Sequence, residues 1–438
     1  MMNWRKPIIY GLLYLSRNKI HRYLKEIKKV EKLSKGEIKE YQETKLKKLL
    51  LHAYKNIPYY NKILNEASVI ENGEVNLDNF QKIPILSREL LTKEFDNLKS
   101  KDLKNRKWFL NHSGGSTGKP VAFIQDKEYW DSNVANKIYY AFLNGKNIGE
   151  KEVKLWGSDK DILQGTIGFR AKIQNFLYNR IFLNSFNMEE DKIKSYIQIL
   201  NKEKPKLLWG YVNSLEILSD YINTENLKVY SPKVIFSAAG TLTNDVRDKI
   251  KKAFNTKVVN IYGTREIGDV AFEIEENRGL MVMDYSHKLE VEKNGRILIT
   301  TLNNYSMPLI RYDIGDISSG FDSKIDYRFS VLKNVIGRKT SIFKTKNGKN
   351  IPPEYFIHMV GVAFNTGFIK KFQVIQKKFD EVLIKIVLGD KKDIKQLRNI
   401  ENSIKKVMGA NCKVKFEFVN EIKSTKNGKY FYTVSEIK

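Results

Sequence analysis

The sequence predicts an α/β protein with a large N-terminal domain and a small C-terminal domain. At 438 residues the chain exceeds the size at which one hydrophobic core keeps growing, so two domains are expected. From about residue 105 onward, short apolar segments alternate with amphipathic stretches, which predicts mostly parallel sheets flanked by helices. The residues after 336 form a separate pattern. We therefore place the domains at 1–336 and 337–438, the smaller one being α+β.

The N-terminal region predicts basic helices. Residues 16–66 carry apolar side chains at helical spacing among many lysines, and the pattern breaks at Asn56-Ile57-Pro58. The positions with this spacing include Leu46, Leu49, Leu50, Ala53 and Tyr54. A helix boundary is therefore expected near residue 57.

Ahead of these helices, the first residues combine a basic start with a short apolar run. Arg5, Lys6, Arg17 and Lys19 flank Ile8, Ile9, Leu12, Leu13 and Leu15. The run is shorter than the roughly 18 residues that a transmembrane helix requires, and no small-residue cleavage pattern follows it. Two interpretations fit, a helix on a membrane surface and a helix docked on its own domain, and the short apolar run favours the second.

The alternating region and the C-terminal region carry distinct patterns. Apolar segments predict strands at 206–209, 234–236 and 258–262, with helices from about 213 and over 244–254. Residues 289–301 alternate apolar and polar side chains around Asn294-Gly295, which predicts a β-hairpin or barrel-like element. Further strands are expected at 372–375, 382–387 and 412–418, and a helix over 392–408. Ligands of parallel sheets bind at the carboxyl ends of the strands, where the glycine-rich and polar clusters fall.

Composition limits the classes of partner and cofactor. The formal net charge is +27, but the excess lysines are spread along the chain, so no nucleic-acid partner is expected. The single cysteine, Cys412, excludes a disulfide within the chain and suits a reducing compartment. The five histidines and that thiol have no zinc-site spacing. We expect a cytoplasmic protein, with membrane contact through the basic N-terminus as the open alternative.

The segment from His112 to Pro120 is the most informative cluster. Three hydroxyls, three glycines and Lys119 occur within these nine residues. Glycines let the backbone approach a ligand closely, and N–H and hydroxyl groups can then donate to phosphate oxygens. The segment is not a Walker A loop, because Ser113 stands at the first glycine position and Pro120 replaces the Ser or Thr that holds Mg²⁺. Taken alone, it fits an ordinary flexible turn almost equally well.

Five more clusters follow in chain order, and together they resemble the adenylate-forming superfamily of acyl-CoA synthetases, adenylation domains and luciferases. They are Ser237–Gly240, Tyr262–Glu266, Pro308–Asp316, Gly337-Arg338 and Ser424–Lys429. The most specific is Arg311-Tyr312-Asp313-Ile314-Gly315-Asp316, which matches the superfamily's Arg-Tyr-x-x-Gly-Asp form. Residues 52–60 (His-Ala-Tyr-Lys-Asn-Ile-Pro-Tyr-Tyr) and Trp156-Gly157-Ser158 resemble the phenylacetate–CoA ligase-like branch, which includes CapK-like proteins linked with capsular polysaccharide synthesis.

The resemblance implies a role for each matching residue. The phosphate loop contains Ser113, Gly115, Ser116, Thr117 and Gly118, and the adenine lies against Ala239 and Gly240. Tyr262, followed by Gly263, stacks on adenine, Asp316 accepts hydrogen bonds from the ribose hydroxyls, and Arg338 reaches the nucleotide. Thr264 contacts phosphate, Glu266 ligates Mg²⁺, and Lys119 and Lys429 neutralise charge on the reacting groups.

The chain departs from the superfamily pattern at two places. In Tyr262–Glu266 the threonine and the variable residue are exchanged, and the hinge position holds Thr340 instead of Asp or Lys. Asp269 and Glu273 are alternative metal ligands, although surface charges are the favoured interpretation for both.

The resemblance implies ATP-dependent activation of a carboxylic acid as an acyl adenylate, with release of pyrophosphate, by an enzyme with a mobile C-terminal domain. ATP, Mg²⁺ and coenzyme A are the expected cofactors, and coenzyme A is the default acyl acceptor. One alternative is acyl transfer to a sugar or another amine or hydroxyl in cell-surface polysaccharide synthesis. The other is a non-catalytic basic protein, associated with membrane or nucleic acid, that keeps a degenerate nucleotide site. The retained Glu266, Asp316 and Lys429 argue against degeneracy.

Overall fold

The chain folds into a large N-terminal part and a small C-terminal part. The computed structural model describes residues 3–16, 18–113, 121–157, 169–325, 327–335, 342–351, 353–357, 359–360, 368–389, 395–422 and 432–437. Within these ranges, no helix combines the length and the apolar composition needed to cross a membrane.

Four helices form the start of the chain. They are α1 (Arg5–Leu15), α2 (Ile20–Val30), α3 (Lys35–Asn56) and α4 (Pro58–Glu66). A reciprocal cap starts α3, because the Glu37 N–H donates to Ser34 Oγ and the Ser34 N–H donates to Glu37 Oε2. The boundary between α3 and α4 falls at Ile57, so the predicted helix break is confirmed.

A connecting region leads from these helices to a hairpin. It contains β1 (Ile70–Glu71), β2 (Glu74–Val75), α5 (Arg88–Lys93) and the 3₁₀ turns Leu77–Lys82 and Leu103–Asn105. The hairpin pairs β3 (Trp108–His112) antiparallel with β4 (Ala122–Asp126). The strands before and after the glycine-rich segment therefore pair with each other.

An eight-stranded sheet forms the centre of the larger part. Its first seven strands are β5 (Glu152–Leu155), β6 (Arg180–Leu183), β7 (Leu207–Tyr211), β8 (Val234–Ala238), β9 (Lys257–Thr264), β10 (Gly268–Phe272) and β11 (Leu280–Val282). The spatial order is β11-β10-β9-β8-β7-β5-β6, and the short strand Val331–Leu332 pairs outside β11. Five neighbouring strands, β9, β8, β7, β5 and β6, pair in parallel. The other three, β10, β11 and Val331–Leu332, pair antiparallel, so the expectation of mostly parallel pairing is confirmed.

Helices cover both faces of this sheet. They are α6 (Lys127–Leu143), α7 (Phe169–Tyr178), α8 (Glu190–Glu203), α9 (Val212–Thr224) and α10 (Asn244–Phe254). On one face, Tyr140 of α6 packs with Trp209, Phe236 and Phe272, and the buried residues of α1 and α2 belong to the same core. On the other face, α8, α9 and α10 enclose a second core. The predicted helix 244–254 has the bounds found for α10.

A three-stranded antiparallel sheet follows, with the order β12 (His287–Val291), β13 (Arg296–Thr301) and β14 (Tyr312–Ile317). The turn between β12 and β13 contains Asn294 and Gly295, which confirms the predicted hairpin. This sheet shares a core with α3 and α4, in which Leu50, Tyr60, Ile299 and Tyr312 are fully buried. The short strand Val331–Leu332, β15, then returns to the central sheet.

The C-terminal part has a sheet and a core of its own. Its elements are β16 (Phe343–Lys344), β17 (Asn350–Ile351), α11 (Pro353–Ile357), β18 (Ile369–Lys378), β19 (Glu381–Leu388), α12 (Lys395–Met408), β20 (Lys413–Phe418) and β21 (Thr433–Ser435). The four-stranded sheet has the order β20-β19-β18-β21. Ile400, Ile404 and Met408 of α12 join Phe372 in its core, where Cys412 is also buried. That burial raises the pKa of the Cys412 thiol to about 11.

The two parts touch at a few described side chains. Lys349 forms an ion pair with Glu189 at the start of α8. The ring of Tyr355 meets the ring of Phe186 edge to face, with centroids 6.2 Å apart. Ile342 also packs against the core that α8, α9 and α10 enclose.

Candidate functional site

The carboxyl ends of the parallel strands β8 and β9 carry two of the predicted clusters. Directly after β8, Ala239 has a left-handed backbone, with φ of +61°. A Cβ at Gly240 would lie 2.2 Å from Val212 Cγ1, so the chain passes too close to α9 for any side chain there. The predicted adenine loop is thus a tight, small-residue turn at the position where parallel sheets bind ligands.

Tyr262 and Asp316 meet at this edge of the sheet. The Tyr262 hydroxyl donates to Asp316 Oδ2 over 3.2 Å, although the two residues are 54 positions apart. Tyr262 comes from β9 of the central sheet and Asp316 from β14 of the three-stranded sheet. The residues predicted to bind adenine and ribose therefore lie in one cluster, to which two sheets contribute.

Thr264 ends β9, and Glu266 lies in the turn from β9 to β10. A Cβ at Gly263 would lie 2.2 Å from the carbonyl oxygen of Gly268, so this close approach requires glycine. Gln125 of β4 ties the turn to the loop hairpin, because its Nε2 donates to the carbonyl oxygen of Arg265 over 2.8 Å. The hairpin of β3 and β4 and the turn between β9 and β10 are thus held side by side.

Three hydroxyls near these strand ends are buried without a hydrogen-bond partner among the described residues. They belong to Ser237 at the end of β8, to Thr241 after it, and to Thr264 at the end of β9. A buried hydroxyl without a partner is costly, typically by about 1–3 kcal/mol, and in native structures it calls for a specific explanation. All three belong to the predicted nucleotide clusters or lie next to them.

Glu266 forms a buried ion pair with Arg88 of α5. Arg88 Nη2 lies 2.7 Å from Glu266 Oε1, and the two side chains are 10% and 7% exposed. Tyr312 of β14 and Tyr432 of the C-terminal part interact electrostatically with the same guanidinium. Arg88 therefore joins four separate elements. The sequence offered no signal for this role, because a pairing across 178 positions leaves no local pattern.

His287 contacts the turn between β9 and β10 through its imidazole ring. Its Nε2 lies 2.8 Å from the carbonyl oxygen of Ile267, and its Nδ1 lies 2.9 Å from Ser286 Oγ. Because a carbonyl can only accept, the proton of the neutral ring is on Nε2. Burial lowers the pKa of His287 to about 4, so the ring is neutral at physiological pH.

Two residues of the predicted motifs stabilise the local backbone through hydrogen bonds. Ser113 is buried, and its Oγ accepts from the Val121 N–H over 2.9 Å, which closes the base of the glycine-rich segment. Arg311 has φ of +49° and donates to the carbonyl oxygens of Gln81 and Ile83 over 2.6 and 2.5 Å. It also forms an ion pair with Glu290 at 3.2 Å. These residues shape the backbone that carries the neighbouring motif positions.

The alternative metal ligands have other partners. Glu273 is buried and accepts three hydrogen bonds of 2.9–3.0 Å from the Arg247 guanidinium, so its interpretation as a surface charge was wrong. Asp269 accepts from the Tyr140 hydroxyl over 2.8 Å and pairs with Lys137. Glu266 uses Oε1 for its bond with Arg88. The other predicted site residues, Gly115, Ser116, Thr117, Gly118, Lys119, Arg338 and Lys429, and the hinge position Thr340, lie outside the described residues.

We expect a His287→Gln variant to lose less stability in acid than the native protein. A histidine titrates near pH 6.5 when unfolded and His287 near 4 when folded, so between these values the unfolded state binds more protons. Acidification through this window therefore costs the native protein about 3 kcal/mol, and the variant escapes that cost. Burial raises the pKa of Asp284 to about 6, which acts in the opposite direction but is common to both proteins.

Urea unfolding of both proteins between about pH 7 and pH 4 measures the difference. Stability curves that stay parallel over the whole range would contradict the role assigned to His287.

Similarity to known proteins extends over the whole chain. Residues 343–436 match the model of the CapK C-terminal domain. Protein CapK of Staphylococcus aureus is 24% identical over 444 residues, which cover 98% of this chain and 96% of CapK. Phenylacetate-coenzyme A ligase of Thermus thermophilus is 23% identical over 308 residues, which cover 66% of this chain and 67% of the ligase.

A solved structure has the same fold. It is 2-hydroxyisobutyryl-CoA ligase in complex with 2-HIB-AMP and CoA, which aligns with a TM-score of 0.57 at 17% identity, over 92% of this chain and 90% of that chain. Together with the motifs, these similarities confirm the predicted resemblance to the adenylate-forming superfamily and to its phenylacetate–CoA ligase-like and CapK-like branch.

Proposed function

We propose that the chain activates a carboxylic acid with ATP, forming an acyl adenylate and pyrophosphate, and then transfers the acyl group to coenzyme A. The observation that carries this proposal is the contact of Tyr262 with Asp316 beside the turn that holds Glu266. An aromatic ring, an acceptor for ribose hydroxyls and a carboxylate for a metal are the groups that recognition of ATP requires.

In this proposal the nucleotide lies across the ends of β8 and β9. The adenine stacks on Tyr262 and fits against Ala239 and Gly240, where the absence of large side chains leaves room for a flat ring. The ribose hydroxyls donate to Asp316, replacing the Tyr262 hydroxyl as its partner. Residues 115–118 bind the phosphates through backbone N–H and hydroxyl groups, and the unpartnered hydroxyl of Thr264 gains a phosphate oxygen as acceptor.

The main obstacle in such a reaction is the repulsion between the negative carboxylate and the negative phosphates of ATP. A carboxylate oxygen of the acid attacks the α-phosphorus, the bond to the β-phosphate oxygen breaks, and pyrophosphate leaves. Lys119 and Lys429 neutralise the negative charges that meet in this step, and Arg338 helps to hold the nucleotide in line.

Glu266 fits the requirements of Mg²⁺. This ion is commonly held by one or two carboxylates together with phosphate oxygens and water. Glu266 provides one buried carboxylate at the proposed triphosphate position, and the described residues contain no cluster of three or more metal-ligating side chains. A bound Mg²⁺ would supply additional neutralisation of the phosphate charge.

We expect Lys429→Ala to reduce ATP–pyrophosphate exchange by about 10²–10³-fold, because it removes one positioned charge from the reacting centre. Binding of ATP, measured by calorimetry, should change little, since Tyr262 and Asp316 remain. Lys426→Ala is the matched control, because it removes a lysine from the same segment. Undiminished exchange in Lys429→Ala would contradict the assigned role. Absence of exchange in the native protein with every member of a broad panel of carboxylic acids would contradict the proposed function.

We also expect Mg²⁺ to stabilise an Arg88→Gln variant more than it stabilises the native protein. The variant leaves the Glu266 carboxylate buried without a countercharge, at a cost of about 3 kcal/mol, and a bound cation would restore the balance. The measurement is the melting temperature with a non-hydrolysable ATP analogue, with and without Mg²⁺.

Arg247→Gln is the matched control for this test. It removes the partner of Glu273 from a pair whose side chains are 4% and 7% exposed. The control should gain no more from Mg²⁺ than the native protein. A gain confined to Arg247→Gln would assign the metal to Glu273, and no extra gain in Arg88→Gln would contradict the assignment to Glu266.

The acceptor has a second candidate, an amine or hydroxyl of a sugar. Similarity to CapK covers 98% of this chain, whereas similarity to phenylacetate-coenzyme A ligase covers 66%. The two acceptors are distinguished by following the free thiol of coenzyme A after the acyl adenylate has formed. Loss of thiol supports coenzyme A. A stable thiol, together with acylation of an amino sugar supplied in its place, supports the sugar.

We further propose that the residues from Gly337 onward form a domain that rotates after adenylation. The small number of described contacts between the two parts, such as Lys349 with Glu189, supports such a movement. Limited proteolysis should therefore give different cleavage patterns with and without a stable acyl-adenylate analogue. Identical patterns would argue against rotation.

A further inference from the structure

The first helix of the chain exposes a row of apolar side chains. On α1, Ile9 and Leu13 are buried against the protein, whereas Trp4, Ile8, Leu12 and Leu15 are between 44% and 81% exposed. These four residues are spaced by four, four and three positions, so they share one face of the helix. The helix therefore has two apolar faces, one used for docking and one open to solvent.

Helix α1, which carries this exposed row, is attached to the rest of the protein by side-chain contacts. Asn3 Nδ2 donates to the carbonyl oxygen of Ile148 over 2.9 Å. The Arg5 guanidinium lies 4.5 Å from the ring centroid of Trp4 and 5.2 Å from that of Phe176. Arg5 Nε also donates to the carbonyl oxygen of Phe176 over 3.2 Å. The exposed face of α1 is thus presented by a fixed helix and is not the product of a frayed end.

The neighbouring helix α7 extends the apolar surface. Phe176 and Ile173 are exposed, lie one turn apart on α7, and Phe176 packs beside Trp4 with ring centroids 6.3 Å apart. We call Trp4, Ile8, Leu12, Leu15, Ile173 and Phe176 the α1 patch. Contiguous apolar surface of this kind on a soluble fold marks a site of interaction.

The two helices at the start of the chain carry an excess of positive charge. Residues 3–35 contain ten Lys or Arg and two Glu. Both glutamates are used inside the protein: Glu26 pairs with Lys45 at 2.9 Å, and Glu31 accepts from the Tyr139 hydroxyl at 2.5 Å. On α2, which packs against α1, Arg22, Lys25 and Lys29 are exposed and share one face. The exposed charge of these two helices is therefore cationic.

We infer that α1 and α2 dock on the anionic surface of a lipid bilayer. A bilayer offers acyl chains to the α1 patch and negatively charged headgroups to the lysines and arginines, and a tryptophan suits the boundary between them. Nucleic acid would match the cationic residues but not a row of isoleucine and leucine. A second copy of the chain would match the patch but bring two strongly positive segments together. This inference goes beyond the proposed function and does not depend on it.

Cosedimentation of the full-length protein with vesicles tests the inference. We expect binding to vesicles of equal parts phosphatidylcholine and phosphatidylglycerol to be at least about tenfold tighter than to phosphatidylcholine alone. The double substitution Ile8→Ser with Leu12→Ser should weaken binding to the anionic vesicles by about tenfold or more, since it removes the inserting side chains. The triple substitution Arg22→Glu, Lys25→Glu and Lys29→Glu should abolish the preference for anionic vesicles.

Leu388→Ser with Phe418→Ser is the matched control, because these exposed apolar residues lie on the C-terminal sheet, away from α1. The control should bind as the native protein does. Circular dichroism checks the fold of each variant, and the charge variants alter exposed side chains, so the test stands even if the serine variants unfold. Failure of the native protein to bind anionic vesicles would overturn the inference. So would binding that neither set of substitutions weakens, or self-association of the native protein that the serine variants abolish.

Discussion

The buried ion pair between Arg88 and Glu266 is the interaction on which the candidate site depends. Arg88 begins α5, Glu266 lies in the turn between β9 and β10, and Tyr312 and Tyr432 reach the same guanidinium. Two charges taken out of water are tolerated when each compensates the other, and removal of one partner typically costs about 3–5 kcal/mol. The pair therefore sets the position of the turn relative to the three-stranded sheet. The contact of Tyr262 with Asp316 crosses the same junction.

Local structure could be predicted well where periodicity is strong. The helix α10 and the hairpin around Asn294 and Gly295 have the expected places, because amphipathic spacing and turn chemistry act within a few residues. The antiparallel strands β10, β11 and β15, which extend the central sheet, were not predicted. They are two to five residues long and almost wholly buried, and such short apolar runs have no alternation that marks them as strands.

Only part of the candidate site could be predicted, because the sequence shows motif residues but not the tertiary partners of a side chain. Motif residues such as Tyr262 and Asp316 were recognised by their identity and order. Arg88 and the true environment of Glu273 were missed, because the partner of each side chain is decided by the tertiary fold. Arg311 and Ser113 add a further point, since they support the backbone around the motif through hydrogen bonds to carbonyl and N–H groups. Some residues of a recurring motif thus stabilise the backbone conformation, while others are available for binding and catalysis.

The burial of Cys412 has a practical consequence. Its thiol is enclosed by the C-terminal core, and the raised pKa keeps it protonated at neutral pH, so maleimide reagents would find little thiolate to attack. The native chain is therefore almost equivalent to a cysteine-free background. Single cysteines introduced on either side of the contact between Lys349 and Glu189 could carry a donor and an acceptor fluorophore, which would make the distance between the two parts observable in single molecules during turnover.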